Sequence, residues 1–130
     1  MTLTCNVSKN LKIFMPKTHF LCRLEELPEG SSKGFSADPK AYYADILVAR
    51  TREGVYAYHN HCPHTGAPME WQPHQFLDYT ENFIQCGIHG ALFRIRDGYC
   101  IAGPCKNRSL VKVAVVVQDG GLLALEALDE

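Results

Sequence analysis

Short runs of aliphatic, β-branched and aromatic residues alternate with polar turns over most of the chain. Three pairs of runs have the pattern of β-hairpins, namely 44–50 with 54–58, 92–96 with 99–102, and 110–118 with 122–125. Asp97 and Gly98 join the second pair, and a similar Asp-Gly-Gly sequence joins the third, both of which are tight-turn signals. No amphipathic segment exceeds two helical turns, so the pattern predicts an all-β fold.

The pattern is weaker on the N-terminal side and in the middle of the chain. Residues 1–17 are polar and irregular, and a first strand is expected at 20–24. Residues 25–40 are rich in Gly, Ser and Pro, which predicts a turn followed by a flexible loop. Segment 69–82 has neither a strand period nor a helix period, so we expect a loop there with one helical turn at most.

Two cysteine–histidine pairs lie in loops that contain Gly and Pro. Cys62 and His64 form a C-x-H pair, and Cys86 and His89 form a C-x-x-H pair. Two thiolates and two imidazoles suit either a structural zinc ion or a two-iron cluster in which histidines replace two cysteines on one iron. The glycines beside both pairs favour the cluster, because bridging sulfides require close backbone and inward-pointing amides.

The motifs C-P-H-T-G-A-P, C-G-I-H-G-A-L-F, D-G and G-P follow one another within residues 60–105. In content and order they resemble the pattern of the Rieske family of [2Fe-2S] proteins. The resemblance implies a Rieske-type antiparallel β-sandwich or barrel base with an inserted cluster-binding subdomain. That subdomain would span about 58–105 within a single domain of residues 1–130.

The resemblance also implies one [2Fe-2S] cluster per chain and its ligands. Cys62 and Cys86 would bind the inner iron, and His64 and His89 the outer iron near solvent. His61 is next to the first cysteine but is not needed for the pattern, so we expect it outside the ligand set.

Two features lie outside the ligand pairs themselves. The 21 residues between His64 and Cys86 are more than a small protein of this family is expected to have, which implies an insertion. Trp71 and Phe76 are expected to pack this insertion rather than to form a partner surface. By the resemblance, Pro104 belongs to a segment that covers a third side of the cluster.

The net charge and the cysteine content restrict the possible binding partners and the cell compartment of the protein. The formal net charge is −1 and the pI about 6.6, so electrostatics favour neither nucleic acid nor an anionic membrane as a partner. The longest apolar run, 113–117, is too short to span a bilayer, and the N-terminus lacks a secretory signal. We therefore expect a cytoplasmic, soluble protein whose remaining cysteines are reduced and mostly buried: Cys5, Cys22, Cys100 and Cys105.

The function implied by the resemblance is one-electron transfer. The chain would be a Rieske-type ferredoxin that accepts an electron from a reductase and passes it to a terminal acceptor such as an oxygenase, without being an enzyme itself. The alternative is an accessory small subunit of a multi-component oxygenase or reductase. A hydroxylating oxygenase would also need a mononuclear iron site, typically formed by two histidines and a carboxylate. The 41 residues after His89 contain no histidine, so they do not provide such a site.

A low reduction potential is also expected. High-potential members of the family have serine and tyrosine hydroxyls that hydrogen-bond the cluster region, and this chain has Ala91 and Phe93 at those positions. The same proteins have an extra disulfide between the two loops, where this chain has Ala67 and Ile88. Without these hydroxyl groups and this disulfide, the reduction potential should lie at the low end of the family's range.

Overall fold

The computed structural model describes residues 18–38, 40–88 and 90–125, and these fold into antiparallel β-sheets with a single 3-10 turn at Leu24–Glu26. The strands of the described residues are β1 (His19–Arg23), β2 (Ser31–Phe35), β3 (Ile46–Arg50), β4 (Val55–His59), β5 (Phe83–Gln85), β6 (Leu92–Arg94), β7 (Cys100–Ala102), β8 (Lys112–Val113), β9 (Val115–Gln118) and β10 (Gly121–Ala124). The all-β prediction is confirmed. Residues 1–17 and Cys5 lie outside the described residues.

The base of the fold consists of a four-stranded sheet, in the order β2-β3-β4-β8, and a three-stranded sheet, in the order β1-β10-β9. The central strand β3 is buried on both faces. Ile46 and Val48 belong to a core shared with β1 and β10, whereas Leu47 and Ala49 belong to a second core on the other face. Burial on both faces explains why this strand is a continuous apolar run rather than an alternating one.

A second three-stranded sheet, in the order β5-β6-β7, packs on that other face of the four-stranded sheet. The core between them includes the thiols of Cys62 and Cys86, so both predicted ligand loops pack on one hydrophobic cluster. Tyr58 is fully buried there and donates a hydrogen bond of 2.5 Å to the carbonyl oxygen of Ile95. Burial raises the pKa of Tyr58, so the hydroxyl remains a neutral donor.

The three predicted hairpins are present as β3–β4, β6–β7 and β9–β10. The prediction of one strand over 110–118 is wrong, because the segment changes sheets at Ala114. There β8 pairs with β4 in one sheet and β9 pairs with β10 in the other. A single apolar run thus supplies strands to both sheets of the base.

The predicted loop at 25–40 is also wrong in part, since Ser31–Phe35 forms edge strand β2 against β3. Its sequence has little strand propensity, and the pairing with a strongly apolar neighbour decides its structure. Gly34 allows a close approach, because a Cβ atom there would lie 2.7 Å from the Cβ of Ala44 and 3.2 Å from the ring of Phe76. Strand β2 therefore lies against the inserted segment.

The insertion at 69–82 is a loop without a helical turn, which agrees with the expected loop, and it is held by isolated bridges between Gln72 and Gln75 and between Leu77 and Ile84. Phe76 is fully buried, which confirms its packing role, whereas Trp71 is half-exposed. No helix in the described parts of the chain is long and apolar enough to cross a membrane.

Candidate metal centre

The first cysteine loop follows β4 and closes on Cys62 through two backbone hydrogen bonds. The Cys62 amide donates to the carbonyl oxygen of Ala67 at 2.9 Å, and the Gly66 amide donates back to the Cys62 carbonyl oxygen at 2.6 Å. Gly66 has a φ of +80°, a conformation that glycine adopts without strain. The backbone therefore wraps around the cysteine and fixes its position.

The second loop repeats this arrangement around Cys86. The Cys86 amide donates to the Ala91 carbonyl oxygen at 2.9 Å, and the Gly90 amide donates to the Cys86 carbonyl oxygen at 2.8 Å, with a φ of +72° at Gly90. Both loops thus share the spacing Cys-x-x-x-Gly-Ala, although their histidines stand at different offsets. This equal Cys–Gly–Ala spacing is visible in the sequence, but only the Cys–His spacings entered the prediction of the ligands.

Two further segments hold the loops together. The Gly87 amide donates to the carbonyl oxygen of Met69 at 2.9 Å, and a Cβ at Gly87 would lie 2.7 Å from the Cβ of Trp71. On the other side, a Cβ at Gly103 would lie 2.8 Å from the Cα of Ala91. The insertion and the Gly-Pro segment therefore both pack directly against the second loop.

The thiols of Cys62, Cys86 and Cys105 are buried together beneath the loops. Burial alone would raise the pKa of Cys62. Hydrogen bonds from the backbone amides of His64 and Thr65 and from the side chains of Cys105 and Cys86 outweigh it, so the pKa is lowered. A lowered pKa favours the thiolate, which is the form that binds metal. Two buried sulfurs in contact, with amides directed at one of them, fit the demands of an iron–sulfur cluster.

The pKa of Cys105 is shifted in the opposite direction. Its Sγ lies 3.4 Å from the Sγ of Cys62, and burial, followed by the hydrogen bond with Cys62, raises the pKa of Cys105 to about 12. The prediction that Cys22, Cys100 and Cys105 are buried free thiols is confirmed. What the sequence did not show is that one of them touches a predicted ligand.

Three histidines belong to the predicted ligand set or lie next to it in the chain. His64 is exposed beside the buried thiols, whereas His89 lies outside the described residues, so its role as a ligand stays a prediction. His61 is exposed, and its Nδ1 lies 3.2 Å from the carbonyl oxygen of Gly66 in its own loop. Within the described ranges, no group of three or more His, Cys, Asp or Glu side chains is already arranged around one point as a metal site.

Gly103→Ala is expected to lower the melting temperature of the loaded protein by about 10 °C. The φ of +95° costs a residue with a Cβ roughly 1–2 kcal/mol, and the clash with Ala91 adds roughly 1–3 kcal/mol. The matched control is Gly66→Ala, because its φ is similar but no atom lies within 4 Å of the added Cβ. Melting followed by visible absorbance should show a clearly smaller decrease for the control; equal decreases would contradict the close packing.

A family model described as the Rieske [2Fe-2S] domain matches residues 17–118. Comparison with curated proteins finds no match. Among solved structures, the ferredoxin of carbazole 1,9a-dioxygenase from Nocardioides aromaticivorans IC177 is 26% identical, with a TM-score of 0.66 over 85% of this chain and 99% of that chain. The Sphingomonas yanoikuyae B1 ferredoxin is 22% identical, with a TM-score of 0.62 over 85% of this chain and 100% of that chain.

A third similar structure is a complex of reduced oxygenase and oxidized ferredoxin in carbazole 1,9a-dioxygenase. The matched chain is 22% identical, with a TM-score of 0.65 over 83% of this chain and 92% of that chain. At that identity the likeness concerns the fold.

Proposed function

The chain belongs to the Rieske [2Fe-2S] family, whose domain binds one such cluster, and from this we propose that its own ligands are Cys62, Cys86, His64 and His89. The cysteines would bind one iron and the histidines the other. The observation that carries the proposal is the pair of matched loops, which bring the thiols of Cys62 and Cys86 into contact beneath the surface. A single structural zinc ion is disfavoured by the family assignment.

We propose that the protein is a Rieske-type ferredoxin, a one-electron carrier. When bound, the cluster supplies a one-electron redox couple. The chain's part is to bury the thiols, hold the loops rigid and keep His64 exposed, so that the histidine side of the site is close to solvent and to a partner. Rigid loops favour fast electron transfer because little has to rearrange between the two redox states.

The proposed partners are a reductase that donates the electron and a terminal oxygenase that accepts it. The similar structures include a dioxygenase ferredoxin and a complex of an oxygenase with a ferredoxin, which supports this choice. Around the site, segments 61–68, 86–91 and 102–109 contain no carboxylate, and their only lysine and arginine are Lys106 and Arg108. An acceptor with carboxylates around its docking site would therefore be attracted to this face.

We further propose that residues 1–130 form one Rieske domain, in which about 58–105 is the cluster-binding subdomain. The shared core beneath β3 supports this, because it joins residues of the base, such as Leu47, to Cys62 and Cys86. The proposed compartment is the cytoplasm. No disulfide joins cysteines in the described part of the chain, which is consistent with a reducing environment.

The carrier function is tested by rapid mixing. Holoprotein reduced with dithionite is freed of excess reductant and mixed with oxidised cytochrome c at several salt concentrations. We expect the transfer of one electron per chain in a second-order reaction. After the reaction, the oxidised protein should be recovered separately from cytochrome c. The apoprotein is the control and should transfer none.

Retention of the electron by fully loaded protein over minutes, in excess cytochrome c, would contradict the carrier function. It would instead favour the accessory-subunit alternative, in which the cluster is not accessible to an outside acceptor.

A further inference from the structure

Cys105 occupies a fixed position beside the first cysteine loop. Its side chain is fully buried, and its Sγ lies 3.4 Å from the Sγ of Cys62, 43 residues earlier in the chain. The surrounding turn is closed by the Arg108 amide, which donates to the Cys105 carbonyl oxygen at 2.9 Å, and by the Lys106 amide, which donates to the Gly103 carbonyl oxygen at 3.2 Å. The contact between the two sulfurs is therefore set by the backbone of the Gly-Pro segment, residues 103–108.

This segment is also tied to the first loop from outside the core. The guanidinium of Arg108 donates through Nη1 to the carbonyl oxygen of Pro63 at 3.0 Å. Pro63 is the residue after Cys62, so this hydrogen bond and the contact between the sulfurs hold the same two segments together at neighbouring positions. A hydrogen bond between Cys62 and Cys105 does not require any movement of either segment.

The direction of that hydrogen bond follows from ligation. A cysteine bound to iron has lost its proton, so a ligating Cys62 sulfur is only an acceptor. Backbone amides of His64 and Thr65 already donate to this sulfur. Cys105 carries an S–H group and is therefore the member of the pair that donates.

We propose that the Cys105 thiol donates an S–H···S hydrogen bond to the Cys62 sulfur and thereby raises the reduction potential of the centre. The inference rests on the proposed ligand role of Cys62. A donor to a ligand sulfur stabilises the more negative, reduced state more than the oxidised state. Because a thiol is a weak donor, the effect is smaller than that of a hydroxyl. Cys105 is thus a tuning residue that acts through a ligand.

The test compares the midpoint potentials of loaded variants by protein-film voltammetry. Cys105→Ala removes the donor while leaving a small apolar side chain, and it should decrease the equilibrium constant for reduction by about fivefold. Cys105→Ser supplies a stronger donor and should give a value at or above that of the wild type. The matched control is Cys100→Ala, since Cys100 is equally buried but its thiol donates to the carbonyl oxygen of Ala102 at 3.1 Å.

Infrared difference spectroscopy of the wild-type holoprotein provides a readout that does not depend on loading of the alanine variant. The S–H stretching band of Cys105 should shift when the centre is reduced, and it should be missing from Cys105→Ser. An unchanged potential in a fully loaded Cys105→Ala variant would overturn the inference, and so would an S–H region that does not respond to reduction. Either result leaves the carrier function intact, whereas a wild-type protein without iron would contradict the carrier function itself.

Discussion

Cys86→Ser and Cys62→Ser should each yield protein without iron or acid-labile sulfide, and with a melting temperature lower by about 10 °C or more. Both thiols are buried in the core that supports the two loops, so loss of the cluster removes a cross-link between segments that lack a core of their own. A ligand at a free concentration of a thousand times its dissociation constant stabilises the folded state by about 4 kcal/mol. Each kcal/mol shifts the melting temperature of a domain of this size by roughly 3–5 °C. Metal and sulfide analysis, with thermal melting, measures both effects.

The control for this prediction is Cys100→Ser. Its thiol is also fully buried, but its hydrogen bond goes to a backbone carbonyl within its own strand rather than to a predicted ligand. This variant should keep the cluster and lose only a little stability. Stoichiometric iron and sulfide in Cys86→Ser would contradict the proposed ligand set.

The second large effect concerns the reduction potential. We expect a wild-type midpoint near the lower end of the family's range of about −150 to +300 mV, because Ala91 and Phe93 carry no hydroxyl beside the second loop. Both side chains are fully buried in the core that contains Cys86. Ala91→Ser and Phe93→Tyr should each raise the reduction potential by providing a hydrogen-bond donor near the proposed ligand sulfurs. Voltammetry of the loaded proteins measures the differences.

A serine in a buried position also destabilises a fold, so the comparison needs a variant that separates the two effects. Ala124→Ser serves this purpose, since Ala124 is fully buried in the other core of the base, which does not include the cysteine loops. It should lower the melting temperature without changing the potential. A wild-type midpoint well above 0 mV would contradict the assignment to the ferredoxin type.

Local signals accounted for much of the fold. The turns of two hairpins were visible in the sequence, and the structure gives left-handed φ angles of +75° at Gly98, +55° at Asp119 and +77° at Gly120. Strand β2 was missed because Ser31–Phe35 has no alternating pattern and forms only by pairing with β3. Long-range pairing of this kind overrides local propensity and leaves little trace in the sequence.

In the candidate metal site, too, the local features were predictable from the sequence and the long-range contacts were not. The spacing of the two Cys–His pairs identified the buried thiols of Cys62 and Cys86, because short ligand spacings are local. The contact between Cys62 and Cys105 joins positions 43 residues apart and depends on how the Gly-Pro segment folds back, so no spacing rule indicated it. His89 lies outside the described residues and remains a sequence-based prediction.

Pulsed electron paramagnetic resonance of the dithionite-reduced holoprotein tests the central claim most directly, since it detects the cluster and its histidine ligands together. We expect a rhombic signal coupled to two inequivalent imidazole nitrogens, and one of the two couplings should disappear in His64→Cys. A signal without nitrogen coupling would contradict the ligand set. A colourless protein with one bound zinc and no signal would contradict the iron–sulfur centre itself.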